Sequence, residues 1–395
     1  MTKRILFVRS MPSDLDINGY NIQQVGLGKA LVDMGYDYDF ITFKSDKLKC
    51  KEITFYEKKG AKARWIEKPR MRFLRWGINK EICRKEFLSQ YDLIICQEYY
   101  QLQSYLMAKN SPNVVLYSGP YYNMFLPKFI SPFYDFFIGP KLSKRVKAIF
   151  VKSVLAKEFM EKKGYTGLMN VGVSLDISRF DNVELAPDTQ KLVSYMQENK
   201  CILYVGALSD RKNYPFMLEL YSKLLEKRPN LKFVVIGKSV SSFWHKLFGG
   251  KDKDYEEKCN KNVSESVLAG IKRIERIDNP QLKFIYPLCQ AFLLPSKLEI
   301  FGMVLLEAMY LGAPVVTSRN GGSLTLMGSS GKYGQIVDEF DVDKWAEAVI
   351  RYLDNCDYTD SVKLAGQQRV SEDFRWNVIA EKMINKCKEV GLLKE

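Results

Sequence analysis

The chain has 395 residues, of which 46% are hydrophobic and 27% charged, a mixture typical of ordinary globular proteins. This length exceeds what one hydrophobic core usually supports, so it predicts two domains. No stretch approaches the roughly 18 apolar residues needed to span a bilayer. The apolar run near the start is only four residues long, and a secretory signal needs about 7 to 15. We therefore expect a cytoplasmic protein that begins with a buried strand.

The net charge of +14 is unevenly distributed. Residues 1–185 carry 30 basic and 19 acidic side chains, whereas the remainder carries 30 and 27. A surplus of positive charge favours contact with a polyanion or an anionic surface. We expect that contact in the first half of the chain.

Histidine and cysteine are poorly placed for metal binding or nucleophilic catalysis. The eight cysteines are scattered singly, without C-x-x-C spacing, which argues against both a zinc site and a disulfide framework. The only histidine, His245, lies outside any motif. We interpret the cysteines as reduced structural thiols and His245 as uninvolved in chemistry.

Strands and helices alternate along the first half. A strand at residues 4–9 is followed by a polar loop with Gly19 and by a helical pattern from Val25 to Met34 that Gly35 ends. The next apolar runs read as strands and are found at 38–43, 93–96, 114–117 and 148–151. This alternation predicts a mostly parallel sheet covered on both faces.

The same pattern restarts near residue 200. Strands are predicted at 202–205, 232–236, 291–294 and 314–317, and helices at 214–227 and 301–311. The stretch 181–190 is poor in apolar residues and contains Pro187, so we interpret it as the linker. The predicted domains are therefore residues 1–185 and 186–375, with a C-terminal helix over 376–395 that packs back toward the first domain. The fold class is α/β.

Charged residues follow two strands of the second half. Arg211 and Lys212 come shortly after strand 202–205, where they are suited to neutralising a pyrophosphate leaving group. Glu299 follows strand 291–294, and Glu307 lies inside the next helix. The N–H groups at the start of that helix form a ready site for a diphosphate. A carboxylate at Glu307 can accept hydrogen bonds from a ribose, and Glu299 can bind sugar hydroxyls.

These residues resemble the retaining GT-B glycosyltransferases of family 4, the glycosyl transferases group 1, over nearly the whole chain. The resemblance rests on the loop with Gly19, residues 170–176 (NVGVSLD) with Phe180, the segment 206–212, the Glu299 to Glu307 motif, residues 312–316 (GAPVV), Gly321 and Gly322, and Phe374 with Trp376. It implies two Rossmann-like α/β domains facing each other across a cleft. It also implies transfer of a hexose-type sugar from a nucleoside-diphosphate sugar with retention at the anomeric carbon.

The resemblance assigns roles position by position. Lys212 would bind the leaving diphosphate, with Arg211 beside it. Glu299 would contact the donor sugar and Glu307 the ribose. The backbone amides of Phe301, Gly302 and Met303 would bind the donor sugar and diphosphate, while Gly19 would let the first-domain loop approach the phosphates. Retaining enzymes of this type are generally thought to need no protein base, because the donor phosphate takes the acceptor proton.

The chain departs from the family pattern at two positions. Ala207 stands where members commonly carry an arginine, and we expect Arg211 to replace that charge. Residues 117–121 (YSGPY) match a region where many members carry a histidine. Either Ser118 or a backbone group takes that role, or the enzyme is impaired.

Four Asp-x-Asp pairs are present, a spacing that holds a divalent metal in another glycosyltransferase fold. They are Asp14/Asp16, Asp37/Asp39, Asp252/Asp254 and Asp341/Asp343. None follows an apolar strand end with acidic support nearby, so we interpret all four as solvated. We expect no cofactor and no metal requirement.

Two segments of the first half combine basic and aromatic residues. Residues 57–80 contain nine basic and two acidic side chains interleaved with Trp65, Phe73 and Trp76. Residues 121–150 contain eight tyrosines and phenylalanines before a final basic cluster. Such segments suit the headgroup region of an anionic bilayer. Aromatic core residues with solvated lysines are the alternative, while nucleic acid is disfavoured because no nucleic-acid-binding signature is present.

The sequence therefore predicts a peripheral, metal-independent glycosyltransferase at the inner face of the plasma membrane. Its donor would be a UDP- or GDP-sugar and its acceptor a saccharide or lipid-linked saccharide, in surface polysaccharide, lipopolysaccharide or capsule assembly. Two alternatives stay open. One is a nucleotide-sugar epimerase of the same fold, which the single histidine disfavours. The other is a catalytically silent sugar-nucleotide-binding subunit, which Ala207 and the histidine-free 117–121 region favour.

Overall fold

The computed structural model describes residues 2–10, 22–44, 51–73, 76–123, 129–239 and 255–394. The chain divides into two compact units, Met1–Asp176 together with Asp373–Glu395, and Ile177–Glu372. Each unit is built around a mainly parallel sheet whose strands alternate with helices. The α/β fold class predicted from the alternating pattern is confirmed.

Unit 1 contains an eight-stranded sheet in the order β10-β9-β8-β7-β1-β2-β4-β3, in which only the edge strand β3 is antiparallel to its neighbour. A separate hairpin is formed by β5 and β6. The strands are β1 (Arg4–Arg9), β2 (Asp37–Lys44), β3 (Glu52–Lys58), β4 (Ala61–Pro69), β5 (Met71–Phe73), β6 (Trp76–Ile78), β7 (Leu93–Gln97), β8 (Val114–Ser118), β9 (Ile149–Val151) and β10 (Leu168–Asn170).

The helices of unit 1 connect these strands. They are α1 (Gln23–Asp33), α2 (Lys85–Leu88), α3 (Leu102–Asn110), α4 (Ser131–Phe137), α5 (Gly139–Ser143) and α6 (Val154–Lys162), with a 3₁₀ turn at Glu81–Cys83.

Unit 2 contains a six-stranded sheet in the order β13-β12-β11-β14-β15-β16, with every pair parallel. The strands are β11 (Cys201–Val205), β12 (Lys232–Ile236), β13 (Ile271–Ile274), β14 (Ala291–Leu294), β15 (Val315–Ser318) and β16 (Gln335–Val337).

The described helices that begin in unit 2 are α7 (Pro187–Glu198), α8 (Tyr214–Lys227), α9 (Tyr255–Asn260), α10 (Glu265–Ala269), α11 (Met303–Tyr310), α12 (Gly321–Leu326), α13 (Val342–Asp354) and α14 (Cys356–Asp373). Short 3₁₀ segments lie at Ile177–Phe180, Asp210–Lys212, Asn279–Phe284 and Tyr286–Leu288. The last helix, α15 (Trp376–Glu389), belongs to unit 1.

The central strands are continuous apolar runs rather than alternating ones. All five residues of β11 are buried, as are all four of β14. Parallel strands have this composition because helices cover both faces of the sheet and neither face meets water. In unit 1 the rings of Phe40 and Tyr117 pack edge-on against Phe7 of β1, at centroid distances of 5.9 and 6.4 Å.

The strand order creates one switch point in each sheet. In unit 1 the chain builds outward from β1 toward β2 on one side and toward β7 on the other. In unit 2 it builds outward from β11 toward β12 and toward β14. The loops that follow the two strands at such a point diverge to opposite faces and leave a crevice at the carboxyl ends of the strands, where ligands bind in open α/β sheets. Residues 206–213 and 295–302 are those loops in unit 2.

The division between the units lies before the predicted linker. Unit 1 ends at Asp176, whereas the sequence analysis placed the boundary at residue 185. Residues 177–185 belong to unit 2, where Lys283 Nζ donates to the carbonyl of Phe180 at 2.9 Å. The last part of the predicted linker, residues 187–190, is the first turn of α7. Proline favours that position because a first-turn residue needs no backbone N–H for helix bonding.

The C-terminal segment, predicted as a helix over 376–395, is helical over Trp376–Glu389. It packs on α1 within unit 1, and Trp376 is buried there. The hydroxyl of Ser174 donates to the carbonyl of Phe374 at 2.6 Å, which fixes the chain where it re-enters unit 1. Unit 2 ends at Glu372 rather than at the predicted residue 375.

The segment 57–80 was predicted to present its basic and aromatic side chains at the surface, and in part it does not. Its residues 57–69 form the end of β3, the connecting turn and β4 at the edge of the sheet. Trp65 is buried, and its indole N–H donates to Thr42 Oγ1 at 2.8 Å. Arg64 binds the buried carboxylate of Asp39 through Nε at 2.8 Å and also pairs with Glu52. The interpretation of Trp65 as an interfacial residue was wrong, because alternation along β4 turns its ring into the core.

Candidate functional site

The candidate site is formed by the two loops at the switch point of unit 2. The first follows β11 and carries Arg211 and Lys212 in the 3₁₀ turn Asp210–Lys212. The second follows β14 and carries Glu299. The backbone N–H of Lys297 donates to the carbonyl of Arg211 at 2.9 Å, which ties the two loops together. The predicted residues of these two loops therefore lie side by side, although 87 positions separate Lys212 from Glu299.

A three-membered ion cluster joins these loops. Oε2 of Glu299 accepts hydrogen bonds from Nζ of Lys212 and from Nη1 of Arg211, the latter at 3.2 Å. Arg211 Nη1 also donates to the carbonyl of Leu298 at 3.0 Å. Burial lowers the pKa of Lys212, while the negative charge of Glu299 acts in the opposite direction. Lys212 therefore presents a buried cation and Arg211 a half-exposed one at the same point.

Backbone amides converge on the same point. Gly302 has φ +76°, in the left-handed region, and directly precedes α11. A glycine adopts this conformation without strain, which lets the loop turn sharply into the helix. Because α11 begins at Met303, the N–H groups of Met303 and Val304 have no partner inside the helix, whereas the N–H of Leu305 donates to the carbonyl of Gly302 at 2.9 Å. They give the start of the helix a partial positive charge.

Gly322 holds this turn from behind. A Cβ atom at position 322 would overlap the carbonyl oxygen of Phe301, so only glycine allows the backbone of α12 to lie against Phe301. The N–H of Gly321 also donates to the carbonyl of Glu299 at 3.3 Å. Asn320 and Ser323 form a reciprocal capping box at the start of α12. The glycine pair noted in the sequence thus positions the Glu299–Gly302 loop.

Glu307 lies one turn further along α11 and is fully buried. Its Oε2 accepts a hydrogen bond from Nδ2 of Asn279 at 3.1 Å. Burial raises the pKa of Glu307 to about 8, so the carboxyl group is mostly protonated at pH 7. The sequence analysis did not identify Asn279, since it lies 28 residues upstream in a 3₁₀ segment without a motif. The ribose-binding role of Glu307 stays a prediction.

The remaining predicted residues lie elsewhere. Gly19 and His245 are outside the described residues. Ala207 is exposed, and its carbonyl accepts a hydrogen bond from the Tyr204 hydroxyl at 3.0 Å. Ser118 is in unit 1, fully buried, and its hydroxyl donates to Glu98 at 2.9 Å. The hydroxyl of Ser118 is therefore already hydrogen-bonded to a carboxylate of the protein.

Two of the Asp-x-Asp pairs are described, and each has protein partners. Asp39 is buried among Arg4, Arg64 and Tyr91, whereas Asp37 accepts from the N–H of Lys62 at 2.9 Å. Asp341 caps α13, and Asp343 faces Lys223 at 3.4 Å. Asp14/Asp16 and Asp252/Asp254 lie outside the described residues. Within the described ranges, no group of three or more histidine, cysteine, aspartate or glutamate side chains could hold a metal ion.

A second surface lies on α4 of unit 1. Four phenylalanines are exposed on this helix or just before it, namely Phe129 (73%), Phe133 (64%), Phe136 (74%) and Phe137 (55%). The rings of Phe133 and Phe137 stack on each other, and Phe136 meets Phe137 edge-on. Tyr134 on the opposite side of the helix is buried and donates to the carbonyl of Tyr99 at 2.6 Å, which anchors α4. We call this group the phenylalanine patch.

Basic side chains follow the phenylalanine patch directly. Lys141, Lys144, Arg145 and Lys147 are all exposed. The acidic residue of α4, Asp135, is paired with Lys163. Clustered exposed aromatic rings mark an interaction surface. In the part of the chain that the structure describes, no helix is both long and apolar enough to cross a membrane.

Comparison with known proteins finds a family match in unit 2, the unit that contains the candidate site. The family model for glycosyl transferases group 1 matches residues 189–369, which include all site residues of unit 2 named above. Sucrose synthase 1 of Zea mays is 25% identical over 213 residues, which cover 50% of this chain and 25% of that protein. D-inositol 3-phosphate glycosyltransferase of Corynebacterium urealyticum is 28% identical over 202 residues, covering 50% of this chain and 44% of that protein. The chain thus spans less than half the length of these curated relatives.

Solved structures match the whole fold. A structure from E. coli, described as trehalose-6-phosphate bound with UDP-2-fluoro glucose, superposes with a TM-score of 0.69 at 14% identity. The match covers 98% of this chain and 99% of that chain. At this identity the likeness concerns the fold, and the predicted GT-B architecture with two parallel-sheet domains is confirmed.

The buried Glu307 carboxyl makes stability depend on pH. Its folded-state pKa of about 8 lies above the ordinary glutamate value of 4.5, so the folded state binds more protons than the unfolded state between these pH values. The free energy of unfolding should therefore fall as pH rises from about 5 to about 8, by on the order of 3 kcal/mol from this group. Glu307→Gln removes this dependence, so the variant should gain stability relative to wild type as pH rises.

Urea unfolding at pH 5 and pH 8 measures this difference. Glu347→Gln, at an exposed position of α13, is the matched control and should track wild type. A difference between wild type and Glu307→Gln that stays constant over this pH range would contradict the protonated state of Glu307.

Proposed function

We propose that this chain, whose residues 189–369 match the family model for glycosyl transferases group 1, is a member of that family and transfers a sugar from a nucleoside-diphosphate sugar to a saccharide or lipid-linked saccharide. The observation that carries the proposal is the cluster of Lys212, Arg211 and Glu299 beside the first turn of α11. Two cations and a helix N-terminus meet there at the carboxyl edge of a parallel sheet. This arrangement fits a diphosphate leaving group better than any other common ligand.

The cluster accounts for catalysis through the leaving group. Negative charge grows on the departing diphosphate as its bond to the sugar breaks, and donors held in place before the reaction stabilise that charge. A diphosphate and Glu299 compete for Lys212 and Arg211. When the diphosphate binds these cations, Glu299 becomes available to accept hydrogen bonds from the donor sugar. The pair thus links diphosphate binding to sugar recognition.

The proposals for the donor nucleotide and for the stereochemistry of transfer are supported by similarity to other proteins. The E. coli structure named above was solved with UDP-2-fluoro glucose, so we propose a UDP-linked hexose as donor. A GDP-linked sugar is the alternative donor. We propose retention at the anomeric carbon, with the donor phosphate taking the acceptor proton. The single histidine of the chain fits a reaction that needs no imidazole base.

The two alternatives make different products. An epimerase would convert the donor sugar to its epimer and leave the nucleotide attached, and it would need acid and base groups on the sugar. A silent subunit would bind the donor without product. The Lys212–Arg211–Glu299 cluster favours transfer, since two cations beside a helix N-terminus suit a departing diphosphate better than the movement of a sugar proton.

We further propose that unit 1 rests on the inner face of the plasma membrane through the phenylalanine patch. Its rings would enter the interface while the basic residues that follow bind anionic headgroups, each contributing about 1 kcal/mol. This location gives access to a lipid-linked acceptor and fits surface polysaccharide, lipopolysaccharide or capsule assembly. The basic surplus of the first half supports the same orientation.

Incubation with UDP-, GDP- and ADP-sugars and a saccharide acceptor tests the transfer. We expect free UDP and a glycosylated product whose anomeric configuration, read by NMR, equals that of the donor. Lys212→Ala should lower the transfer rate by roughly 100-fold, as loss of a preorganised donor does. Glu299→Gln should also slow transfer, but it should bind UDP more tightly because a competing carboxylate is gone.

The matched control is Lys191→Ala, which removes an exposed lysine of the same unit and should keep wild-type rates. Wild-type transfer by both Lys212→Ala and Glu299→Gln would overturn the assignment of the site. An epimerised donor, or a bound donor without product, would favour the respective alternative.

We propose that transfer needs no metal, because the described Asp-x-Asp pairs are engaged in ion pairs, caps and backbone bonds. Assays in excess chelator should then give the full rate with the wild-type chain. A complete loss of rate that added Mg²⁺ or Mn²⁺ restores would refute this proposal.

Vesicle co-sedimentation tests the membrane surface. Phe133→Ser combined with Phe136→Ser should lower binding to anionic vesicles at least tenfold, since two exposed rings no longer enter the interface. Leu364→Ser is the matched control, because Leu364 is also exposed (58%) but lies on α14 of unit 2. Equal recovery with neutral and anionic vesicles would remove the electrostatic part. Self-association that the double variant abolishes, without vesicle binding by wild type, would assign the patch to a second copy.

A further inference from the structure

A second group of charged residues lies at the carboxyl edge of the unit 1 sheet. Arg9 is the last residue of β1, Glu98 follows β7, and Lys152 follows β9. The strand order places β7 directly beside β1, so Arg9 and Glu98 flank the switch point of this sheet. Ligands bind at such points in open α/β sheets. None of these three residues belongs to a motif that the sequence analysis identified.

Glu98 is held in place by several groups. Its Oε2 accepts hydrogen bonds from the Ser118 hydroxyl at 2.9 Å and from the N–H of Gly119 at 3.0 Å. Its Oε1 lies 3.6 Å from Nζ of Lys152. The residue is buried and has φ +68°, a left-handed conformation that costs free energy in a non-glycine residue. Strain of this kind persists where the surrounding structure fixes a functional geometry.

The two cations outnumber this single carboxylate. Lys152 is buried, and its Nζ lies 4.8 Å from the centre of the Tyr117 ring. The positive charge of Arg9 acts to lower the pKa of Lys152. Nε of Arg9 is buried and donates no hydrogen bond to any of the described residues. Burial lowers the pKa of both cations, and attraction to Glu98 acts in the opposite direction. A buried donor without an acceptor is costly, so this arrangement calls for an added anion.

We infer that Arg9 and Lys152 form a binding site in unit 1 for a phosphate group carried by the acceptor. The identification of the phosphate carrier as the acceptor rests on the function proposed above. The anion site itself rests on the charges and burial of unit 1. Glu98 orients Lys152 from one side, and the guanidinium of Arg9 supplies a planar pair of donors that suits phosphate oxygens.

The donor diphosphate is the other source of phosphate, and the unit 2 site argues against it. Lys212, Arg211 and the first turn of α11 already provide two cations and free N–H groups. A diphosphate bound there has its charge offset within unit 2. The cations of unit 1 are therefore assigned to a separate phosphate.

Thermal unfolding of the full chain, with inorganic phosphate as the probe, tests the site. Saturating UDP fills the donor site, and sodium chloride keeps the ionic strength constant. We expect phosphate to raise the Tm of wild type further, and glucose 6-phosphate to do so while glucose does not. Arg9→Gln and Lys152→Met should each lower the affinity for phosphate at least tenfold and leave the UDP response unchanged. Arg84→Gln, at an exposed position of the same unit, is the control.

Arg9→Gln should also raise the Tm in phosphate-free buffer by roughly 2 °C, because a half-buried cation whose Nε–H has no acceptor is removed. A purely structural role for Arg9 would instead lower the Tm and leave the phosphate response intact, which would overturn the inference. A wild-type response no larger than that to chloride would also overturn it.

Loss of UDP affinity in Arg9→Gln would assign the anion to the donor diphosphate and refute the acceptor assignment. Failure of the proposed function has a different signature, since wild type would then show neither transfer nor a response to UDP. The phosphate response can still be measured in that case.

Discussion

The ion cluster of Glu299 with Lys212 and Arg211 determines how the second unit works, because it joins two loops that leave neighbouring parallel strands. The strand order makes these loops diverge, and without a cross-connection they would have no common geometry. Glu299 supplies that connection through the side chains, while the Lys297–Arg211 backbone bond supplies it through the main chain. The glycines at 302 and 322 then bring the start of α11 to the same point. The charged side chains, the backbone of the two loops and the start of α11 thus meet at one place.

The sequence predicted this part of the molecule well because the signals there are local. Strand β14 and helix α8 have the predicted bounds, since apolar runs and the 3.6-residue period are read within a short window. The residues after the strands could be assigned to one edge, because parallel strands share their carboxyl ends. The buried state of Glu307 and its partner Asn279 could not be predicted, since they depend on how a 3₁₀ segment packs on α11.

Predictions that needed the face of a strand or the order of the sheet were less successful. Trp65 was interpreted as interfacial from its basic neighbours, yet it lies in the core, because the alternation of β4 separates it from Lys62 and Lys68. The phenylalanine patch came from a similar pattern, but α4 is short and its buried side is formed by Ser131 and Tyr134, so the phenylalanine rings remain outside. Composition identifies such segments, and the packing of the element decides which residues are available.

The group of Arg9, Glu98 and Lys152 shows what strand order adds. Each follows or ends a buried strand, which is the one sequence signal they share, but 89 positions separate Arg9 from Glu98 in the chain. Adjacent pairing of β1 and β7 brings them to one edge. At the unit 2 edge the cations share a carboxylate that also belongs to the site, so the cluster is satisfied by its own members. At the unit 1 edge Glu98 is bound by Ser118, Gly119 and Lys152, and the guanidinium Nε of Arg9 has no described acceptor. Each edge thus carries two cations and one carboxylate, but in unit 2 both cations are hydrogen-bonded to that carboxylate, whereas in unit 1 the Nε of Arg9 is left without a described acceptor. In our proposal this difference separates a donor site from a second, acceptor-side phosphate site.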